Sequence, residues 1–460
     1  MIIFTENRNN MKKFLKLLSL FILISCSHED VVINDDYVPE KNEHHISLET
    51  ALSELNAVLT DIDATTRAEG IRSVRSVSTI RNVDLFPETR SHSAQEEDIV
   101  YIINFDEDQG FALLAANDRL APVIAITEHG NLTPEDFKTC AKNNTQDPNF
   151  PVILPEVISY ISGASFDGPI LPPPLPTAYA IYGDWIFESQ KGPYVQFKWN
   201  QSPPYNYYSP EVSGLDSHMN GKGYVGCTAV AAGQLIAANS HRGLFLLPAS
   251  LGGYTLDRNM IWQSIDLLKS RGRGEMTFTL FEQCEEALAV ALFLRAIGKS
   301  IGMTYKVSGS SAPSRNVASL MNSIGYRNAE LVDYKENSVC QMLNRQCPVY
   351  MEGKGYDSKK KEYLYHAWLI DGVYTQRRFV ETRSTLTNEL LGSEWESRNL
   401  FHCNFGYSGR YDGYYTPRVY DFHAGALMQD PMIDREKPDT TSQNYGYTHD
   451  FKIITHSYAL

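Results

Sequence analysis

Apolar residues recur at helical and strand spacing in the first third of the chain. Residues 47–62 follow an amphipathic helical period, with Ser47 placed to cap the helix and Glu49 in its first turn. Three strand-like runs follow, at Ile99–Asn104, Phe111–Asn117 and Val123–Thr127, and two short helical periods lie near 134–142 and 155–162. The polar turn Asp106–Gly110 joins the first two runs in a hairpin. This pattern predicts a small α+β unit.

A proline run separates this unit from the rest of the chain. Five prolines between residues 168 and 177 are incompatible with a helix or a sheet ladder, so we place a domain boundary close by. Downstream, helical periods near 228–239 and 281–299 precede strand-like runs. Helices followed by strands predict a two-part domain, with a cleft between an α half and a β half.

Length and charge narrow the function classes. At 460 residues the chain is long enough for two or three domains. The formal net charge of −14 disfavours nucleic acid as a partner, because phosphates need Lys and Arg. The seven cysteines include no CxxC pair, which argues against a disulfide framework. No HExxH or CxxC spacing supports a zinc site either. The residues that such a zinc site would use are His366, His402, Cys403 and Cys227.

The N-terminus resembles an export signal. Lysines at positions 12, 13 and 16 precede the apolar run Leu17–Ile24, which is too short to cross a bilayer. The run ends in Leu-Ile-Ser-Cys at Cys26, similar to a bacterial lipoprotein signal whose cysteine is acylated. We therefore predict a signal and lipobox over 1–26. The expected location is the outer membrane, anchored by lipid at Cys26, facing the periplasm or the cell surface, with release of the mature domain left open. An ordinary signal with an incidental cysteine is the alternative.

Cys227 follows a glycine turn and begins a helix rich in small residues. The free N–H groups and the positive dipole end at a helix N-terminus favour a thiolate, which predicts a lowered pKa for this thiol. A thiolate is the form that attacks a carbonyl carbon. Taken alone, a cysteine in this position is more often a buried structural thiol in a core helix.

Three further residues have the chemistry to work with such a thiolate. His366 lies in a strand-like apolar run and can exchange a proton with the sulfur, although a lone histidine there is equally a core residue. Asn404 can accept the ring N–H of His366 and fix its tautomer, or can be a turn residue. Gln201 can join the backbone N–H of Cys227 in an oxyanion hole, or can be a loop glutamine.

The order Gln, Cys, His, Asn and the sequences around these residues resemble the streptopain family of papain-like cysteine peptidases. The similar segments are Trp199–Asn206, Val225–Gln234, Pro348–Tyr350, His366–Gly372 and Asn404–Gly409, with Ser308–Arg315 and Ser319–Tyr326 between them. Phe111–Arg119 and Pro122–Ala125 resemble the inhibitory propeptide of that family.

The resemblance implies an α+β fold with a papain-like two-part catalytic domain. Its helical half carries Cys227, its antiparallel β half carries His366 and Asn404, and a small α+β propeptide domain precedes it. Residues 27–184 become the tether and inhibitory propeptide, and 185–460 the peptidase domain. The implied function is a secreted or cell-surface cysteine endopeptidase, made as an inactive precursor. Its partners are protein or peptide substrates and its own propeptide, and it needs no cofactor or metal.

The roles follow by position: Cys227 is the nucleophile, His366 the acid and base, Asn404 its orienting residue and Gln201 the oxyanion donor. The residues implied to shield the site or line the cleft are Trp368, Phe405 and Tyr407.

This chain departs from the family pattern near the expected cleft. Phe405 and Tyr407 stand where relatives usually have Trp, and Gly355–Leu364 and Tyr374–Asn399 are longer and more charged than expected. Substrate preference therefore stays open. A second hypothesis also stays open, that of a catalytically inactive surface lipoprotein of the same fold that binds peptides or host proteins.

Overall fold

The fold is known for most of the chain after residue 43. The computed structural model describes residues 44–66, 70–85, 96–143, 154–163, 178–215, 217–265, 284–307, 309–357, 362–420 and 449–458. The predicted lipobox at Cys26, the tether up to residue 43 and the proline run at 168–177 lie outside these residues. None of the described helices is both long and apolar enough to cross a lipid bilayer.

Residues 44–163, here called the N-terminal unit, combine one long helix with an antiparallel sheet. Helix α1 begins one residue after the predicted start and continues four residues beyond the predicted end. The predicted strands and short helices are all present, and β1 is an additional strand. The helices are α1 (Leu48–Thr66), α2 (Asn82–Leu85), α3 (Pro134–Asn143) and α4 (Leu154–Gly163); the strands are β1 (Val74–Arg81), β2 (Asp98–Phe105), β3 (Phe111–Ala115) and β4 (Val123–Thr127).

Residues 178–458, here called the C-terminal unit, have most of their helices before most of their strands, as predicted. The helices are α5 (Cys227–His241), α6 (Arg258–Gln263), α7 (Glu285–Ser300), α8 (Ser314–Ser323) and α9 (Glu336–Asn344). The strands are β5 (Ala178–Tyr182), β6 (Ile186–Lys191), β7 (Ser250–Leu251), β8 (Tyr254–Thr255), β9 (Tyr326–Asp333), β10 (Val349–Asp357), β11 (Glu362–Ser384), β12 (Leu390–Asn404), β13 (Gly413–Tyr415) and β14 (His449–Tyr458).

One sheet runs through both units. Its described strands lie in the order β1-β2-β3-β4-β13-β12-β11-β10-β14-β9, and β5 and β6 also pair with β11. The junction is the antiparallel pair β4–β13, in which Ile126 faces Tyr414 and Ala125 faces Tyr415. The sheet of the N-terminal unit is therefore extended, strand by strand, by that of the C-terminal unit.

Helix α5 is buried on every side. Its residues from Thr228 to Ser240 are all buried, as expected for a helix whose small apolar residues are not confined to one face. A Cβ at Gly233 would come 2.7 Å from the side chain of Leu294, so glycine is needed for the close approach of α7. The two helices are therefore closely packed at the middle of α5.

The long charged segment 374–399 forms two strands joined by a turn at 385–389. They form the distal parts of β11 and β12. These strands pair without interruption from the position where Tyr374 faces Leu400 to the position where Thr382 faces Gly392. The alternating charged and apolar residues suit a two-sided, solvent-exposed hairpin, in which neither face needs to be uniformly apolar.

Candidate active site

Cys227 is the first residue of α5, and the turn before it requires glycine. Gly226 has a φ of +92°, and a Cβ there would come 2.8 Å from the carbonyl oxygen of Ser310. The loop before α8 therefore closes over the turn that presents the cysteine.

The sulfur of Cys227 lies against β11. Its hydrogen-bonding neighbours are the backbone N–H of Ala367 and the N–H and hydroxyl of Thr228. Burial raises the pKa of the thiol above its ordinary value, and these donors offset only part of the effect. The lowered pKa that we expected from the helix N-terminus is therefore wrong for this state of the protein, because desolvation of the sulfur outweighs the helix dipole.

His366 lies on β11, next to Ala367, and is 3% exposed. Its ring stacks on Trp368 at a centroid distance of 5.8 Å and on Tyr407 at 5.3 Å. The ring Nε2–H donates to the carbonyl oxygen of Phe405 at 3.2 Å. Burial lowers the pKa of His366 to about 4, so the imidazole is neutral at pH 7.

The cysteine and the histidine are adjacent in the fold. The sulfur contacts the backbone N–H of Ala367, the residue that follows His366, and the ring Nε2–H of His366 donates to the carbonyl oxygen of Phe405. Direct proton sharing between the sulfur and the imidazole stays a prediction.

Asn404 is buried at the end of β12 and ties three segments together. Its Oδ1 accepts hydrogen bonds from Nε2 of Gln234 at 2.9 Å and from the N–H of Gly406 at 3.2 Å. Its Nδ2 donates to the carbonyl oxygen of Phe197 at 2.9 Å. Asn404 thus fixes the loop that supplies the acceptor for His366, rather than accepting the ring N–H itself as we expected.

Tyr407 lies among the predicted catalytic residues. Burial and the nearby sulfur of Cys227 raise the pKa of Tyr407. A hydrogen bond with the side chain of Gln201 lowers this pKa, but only in part. Tyr407 therefore hydrogen-bonds to Gln201, stacks on the ring of His366 and lies near the sulfur of Cys227. Gln201 is half-buried beside this group, which is where an oxyanion donor would be needed.

The aromatic residues predicted to shield the site form its wall. Trp368 and Phe405 are both 2% exposed, with ring centroids 6.0 Å apart. They belong to a core that also contains Phe111 and Ile124 of the N-terminal unit. The wall of the site is therefore packed partly by the first unit of the chain.

Two supporting residues were not predicted from the sequence. Gln234 accepts the N–H of Trp199 at 2.9 Å while donating to Asn404, and thereby joins the segment before Gln201 to the end of β12. Asp412 accepts the N–H of Phe405 at 2.9 Å. Gln234 stood inside a family-like segment, but nothing in the local pattern near Asp412 indicated this contact.

Comparison with known families agrees with this geometry. Residues 199–415, which hold all four predicted catalytic residues, match the model of the Peptidase C10 family. These residues are similar to that family, and they make up just under half of the chain. Residues 43–146 match the model of the Spi protease inhibitor family, so the N-terminal unit contains an inhibitor-like domain.

Individual relatives are distant. Streptopain from Streptococcus pyogenes is 24% identical over 245 residues, which cover 47% of this chain and 52% of streptopain. The chain spans about half the length of the curated relatives it matches. Among solved structures, a prointerpain A fragment from Prevotella intermedia has a TM-score of 0.46 at 17% identity, covering 83% of this chain and 100% of the fragment. Active interpain A has a TM-score of 0.37 at 18% identity, covering 59% and 97%.

Proposed function

We propose that this chain is the precursor of a cysteine endopeptidase. Cys227 is the nucleophile and His366 its acid and base, with Gln201 in the oxyanion hole. The observation that supports this most is the place of Cys227. It begins a buried helix with its sulfur against Ala367, the residue next to His366, within the segment that matches the peptidase family.

The reaction is acyl transfer. The thiol of Cys227 gives its proton to His366, and the sulfur attacks the carbonyl carbon of a peptide bond. The carbonyl oxygen becomes an oxyanion held by Gln201 and the backbone N–H of Cys227. The C–N bond breaks as His366 protonates the leaving amine, which leaves a thioester on Cys227. His366 then takes a proton from water, whose oxygen attacks the thioester and releases the acid and the thiol.

In the precursor, these groups are held in an unreactive charge state. The pKa of Cys227 is raised and that of His366 is lowered, so both are neutral at pH 7. A thiolate–imidazolium pair needs the opposite shifts. Activation must therefore move the imidazole from the carbonyl of Phe405 towards the sulfur, and its stack on Tyr407 has to open. This supports inhibition by the N-terminal unit of the same chain.

Replacement of the nucleophile tests the proposal. After removal of the N-terminal unit by an added protease, Cys227→Ala and Cys227→Ser should lose hydrolysis of a fluorogenic peptide library by at least about 10³-fold. Cys340→Ala, which removes a half-buried thiol on α9, is the matched control and should retain activity. Full activity of Cys227→Ala would refute the assignment.

The non-enzymatic alternative predicts a different result. If the processed wild-type chain neither cleaves any library peptide nor reacts with a thiol-directed epoxide at Cys227, the inactive surface lipoprotein becomes the better hypothesis. Mass spectrometry of the Cys227 peptide distinguishes the two.

We further propose that the protein is exported and lipid-anchored at Cys26. The support is the basic and apolar pattern that ends at this cysteine. Cells fed with labelled palmitate should incorporate it into the wild-type chain but not into Cys26→Ser. Equal labelling of both chains would rule out the anchor.

A further inference from the structure

Five charged residues meet where the two units join. Glu128, the residue after β4, is the one from the N-terminal unit. Its Oε2 accepts from Nζ of Lys198 at 3.2 Å, and its Oε1 accepts from Nε2–H of His402 at 3.1 Å. Lys198 also donates to Asp412 at 2.9 Å, and His402 donates from Nδ1–H to Asp371 at 2.5 Å. One carboxylate of the inhibitor unit thus bridges two cations of the peptidase.

The sheet places this carboxylate. The backbone N–H of Glu128 donates to the carbonyl oxygen of Asp412 at 2.8 Å, which continues the β4–β13 ladder by one residue. The N–H of Thr416 likewise donates to the carbonyl oxygen of Ile124 at 3.0 Å. These two hydrogen bonds fix the register at both ends of β13 and place the backbone of Glu128 beside Asp412, within reach of the cation pair.

Both cations are poorly solvated. The side chain of His402 is fully buried and that of Lys198 is 19% exposed. Burial opposes a charged imidazole, but Asp371 and Glu128 outweigh it and raise the pKa of His402 to about 10. Burial likewise opposes ionisation of Glu128, yet Lys198 and His402 hold its pKa well below the ordinary range. All three groups are therefore charged at neutral pH, where removing one partner of a buried pair is costly.

The cluster also reaches the candidate active site. Asp412, which binds Lys198, accepts the N–H of Phe405 with its other oxygen. The carbonyl oxygen of Phe405 in turn accepts the ring N–H of His366. A short chain of polar contacts therefore connects Glu128 to the residue whose carbonyl oxygen binds the ring of His366.

We propose that Glu128 is the residue that anchors the inhibitor unit to the peptidase. The surface that it occupies, here called the carboxylate-binding edge, consists of β13 with the cations Lys198 and His402. Its partner is an extended strand followed at once by a carboxylate, and in the precursor that strand is β4 of the same chain. The regulatory role of this contact rests on the proposed function, but the binding contact does not.

Hydrogen exchange tests the binding contact without any catalysis. In a Cys227→Ala full-length chain, Glu128→Gln should speed exchange of the Glu128-position and Thr416 amides by at least about tenfold. Amides of the β2–β3 pair should keep their rates. The control is Glu135→Gln, an exposed glutamate in the first turn of α3, which should change neither set.

Two results would overturn the proposal. Unchanged exchange at the β4–β13 junction would show that the carboxylate does not hold it. Faster exchange throughout β1, β2 and β3 would show that Glu128 stabilises the inhibitor unit itself and not its attachment.

A double-mutant cycle then tests the partner. Lys198→Met alone should also speed exchange at the junction, and the Glu128→Gln, Lys198→Met double variant should exchange at least about threefold more slowly than independent effects predict. Additive effects would contradict a direct contact between the two residues.

The regulatory part has its own measurement. With Cys227 intact, the Glu128→Gln precursor should become active faster than the wild-type precursor under identical conditions. If the cut lies after residue 128, the two processed enzymes have the same sequence and should have equal activity. Equal activation rates would refute the regulatory role. Absence of activity from both processed enzymes would instead refute the proposed function, and the exchange result would stand.

Discussion

At the scale of single residues, burial sets the charge of the groups that carry the proposed chemistry. Cys227 and His366 occupy the places expected from their motifs, yet each is neutral because water is excluded from it. The sequence identified these residue types and their order. It could not give the direction of the imidazole, which depends on the Phe405 carbonyl and on the ring of Tyr407.

The reactivity of Cys227 in the precursor should follow its raised pKa. We expect its alkylation by iodoacetamide to increase about tenfold per pH unit from pH 7 to 9, because only the thiolate reacts. Mass spectrometry of the Cys227 peptide measures the rate. Removal of the inhibitor unit should shift the increase to lower pH. A rate that is already constant below pH 8 in the precursor would contradict the raised pKa.

Gln201 should matter for the transition state more than for binding. Loss of one oxyanion donor usually lowers kcat by about 10²–10³-fold, and we expect Gln201→Ala in the processed enzyme to fall in this range with little change in KM. Gln341→Ala, an exposed residue of α9, is the control. A change confined to KM would assign Gln201 to substrate binding.

At the scale of secondary structure, the turn before α5 has no room for a side chain at Gly226. Gly226→Ala combines an unfavourable φ with a contact of 2.8 Å to Ser310 and should lower the free energy of unfolding by roughly 2–4 kcal/mol. Gly243→Ala has a positive φ but no atom within 4 Å, and should cost only roughly 1 kcal/mol. Urea unfolding of both variants separates backbone strain from the steric contact. Equal losses would show that the contact with Ser310 contributes nothing.

The position of the activation cut can be predicted from β5 and β6. Both pair with β11, and Gly183 between them donates to the carbonyl oxygen of Phe379 at 2.8 Å. A boundary at residue 184 therefore falls inside a hydrogen-bonded segment, which a protease cannot easily bind in extended form. We expect the mature N-terminus to lie before Ala178, as measured by mass spectrometry. A mature chain that begins between 179 and 191 would contradict this.

Local periodicity predicted the elements that bury one face and missed those that do not. Helix α1 and strands β2, β3 and β4 carry continuous or periodic apolar residues, and their bounds were close to those observed. Strand β5 is exposed at four of its five residues, so it has no buried face that would impose an alternation of apolar and polar residues. The β4–β13 pair joins segments almost 290 residues apart, and no local pattern encodes such a contact. Glu128 was missed for the same reason, since one glutamate after a strand resembles any solvated glutamate.

At the scale of the whole molecule, three buried histidines should give stability a maximum near pH 6.5. Burial lowers the pKa of His366 and of His456 to about 4. Below pH 6.5 the unfolded chain therefore binds more protons than the folded chain, and the free energy of unfolding decreases as the pH falls. The carboxylates around His402 overcome its burial and raise its pKa to about 10, so the folded chain holds an extra proton above pH 6.5 and stability falls there too.

Urea midpoints at pH 5, 6.5 and 8 measure this effect in the Cys227→Ala chain. Each histidine should change the free energy of unfolding by roughly 2 kcal/mol, His366 and His456 between pH 6.5 and pH 5 and His402 between pH 6.5 and pH 8. His456→Gln should reduce only the loss at acid pH, and His402→Gln only the loss at alkaline pH. A stability that rises steadily from pH 5 to pH 8 would contradict the assignment.

The continuous sheet also governs what happens after the precursor is cut. Cleavage of the linker breaks one covalent bond but leaves the β4–β13 ladder and its shared core in place. The inhibitor fragment therefore stays bound to the peptidase fragment after the cut. Once it has dissociated, it can rebind only in a bimolecular step, whose rate depends on concentration. Onset of activity should therefore lag behind cleavage, with a delay that shortens when the same cut sample is diluted.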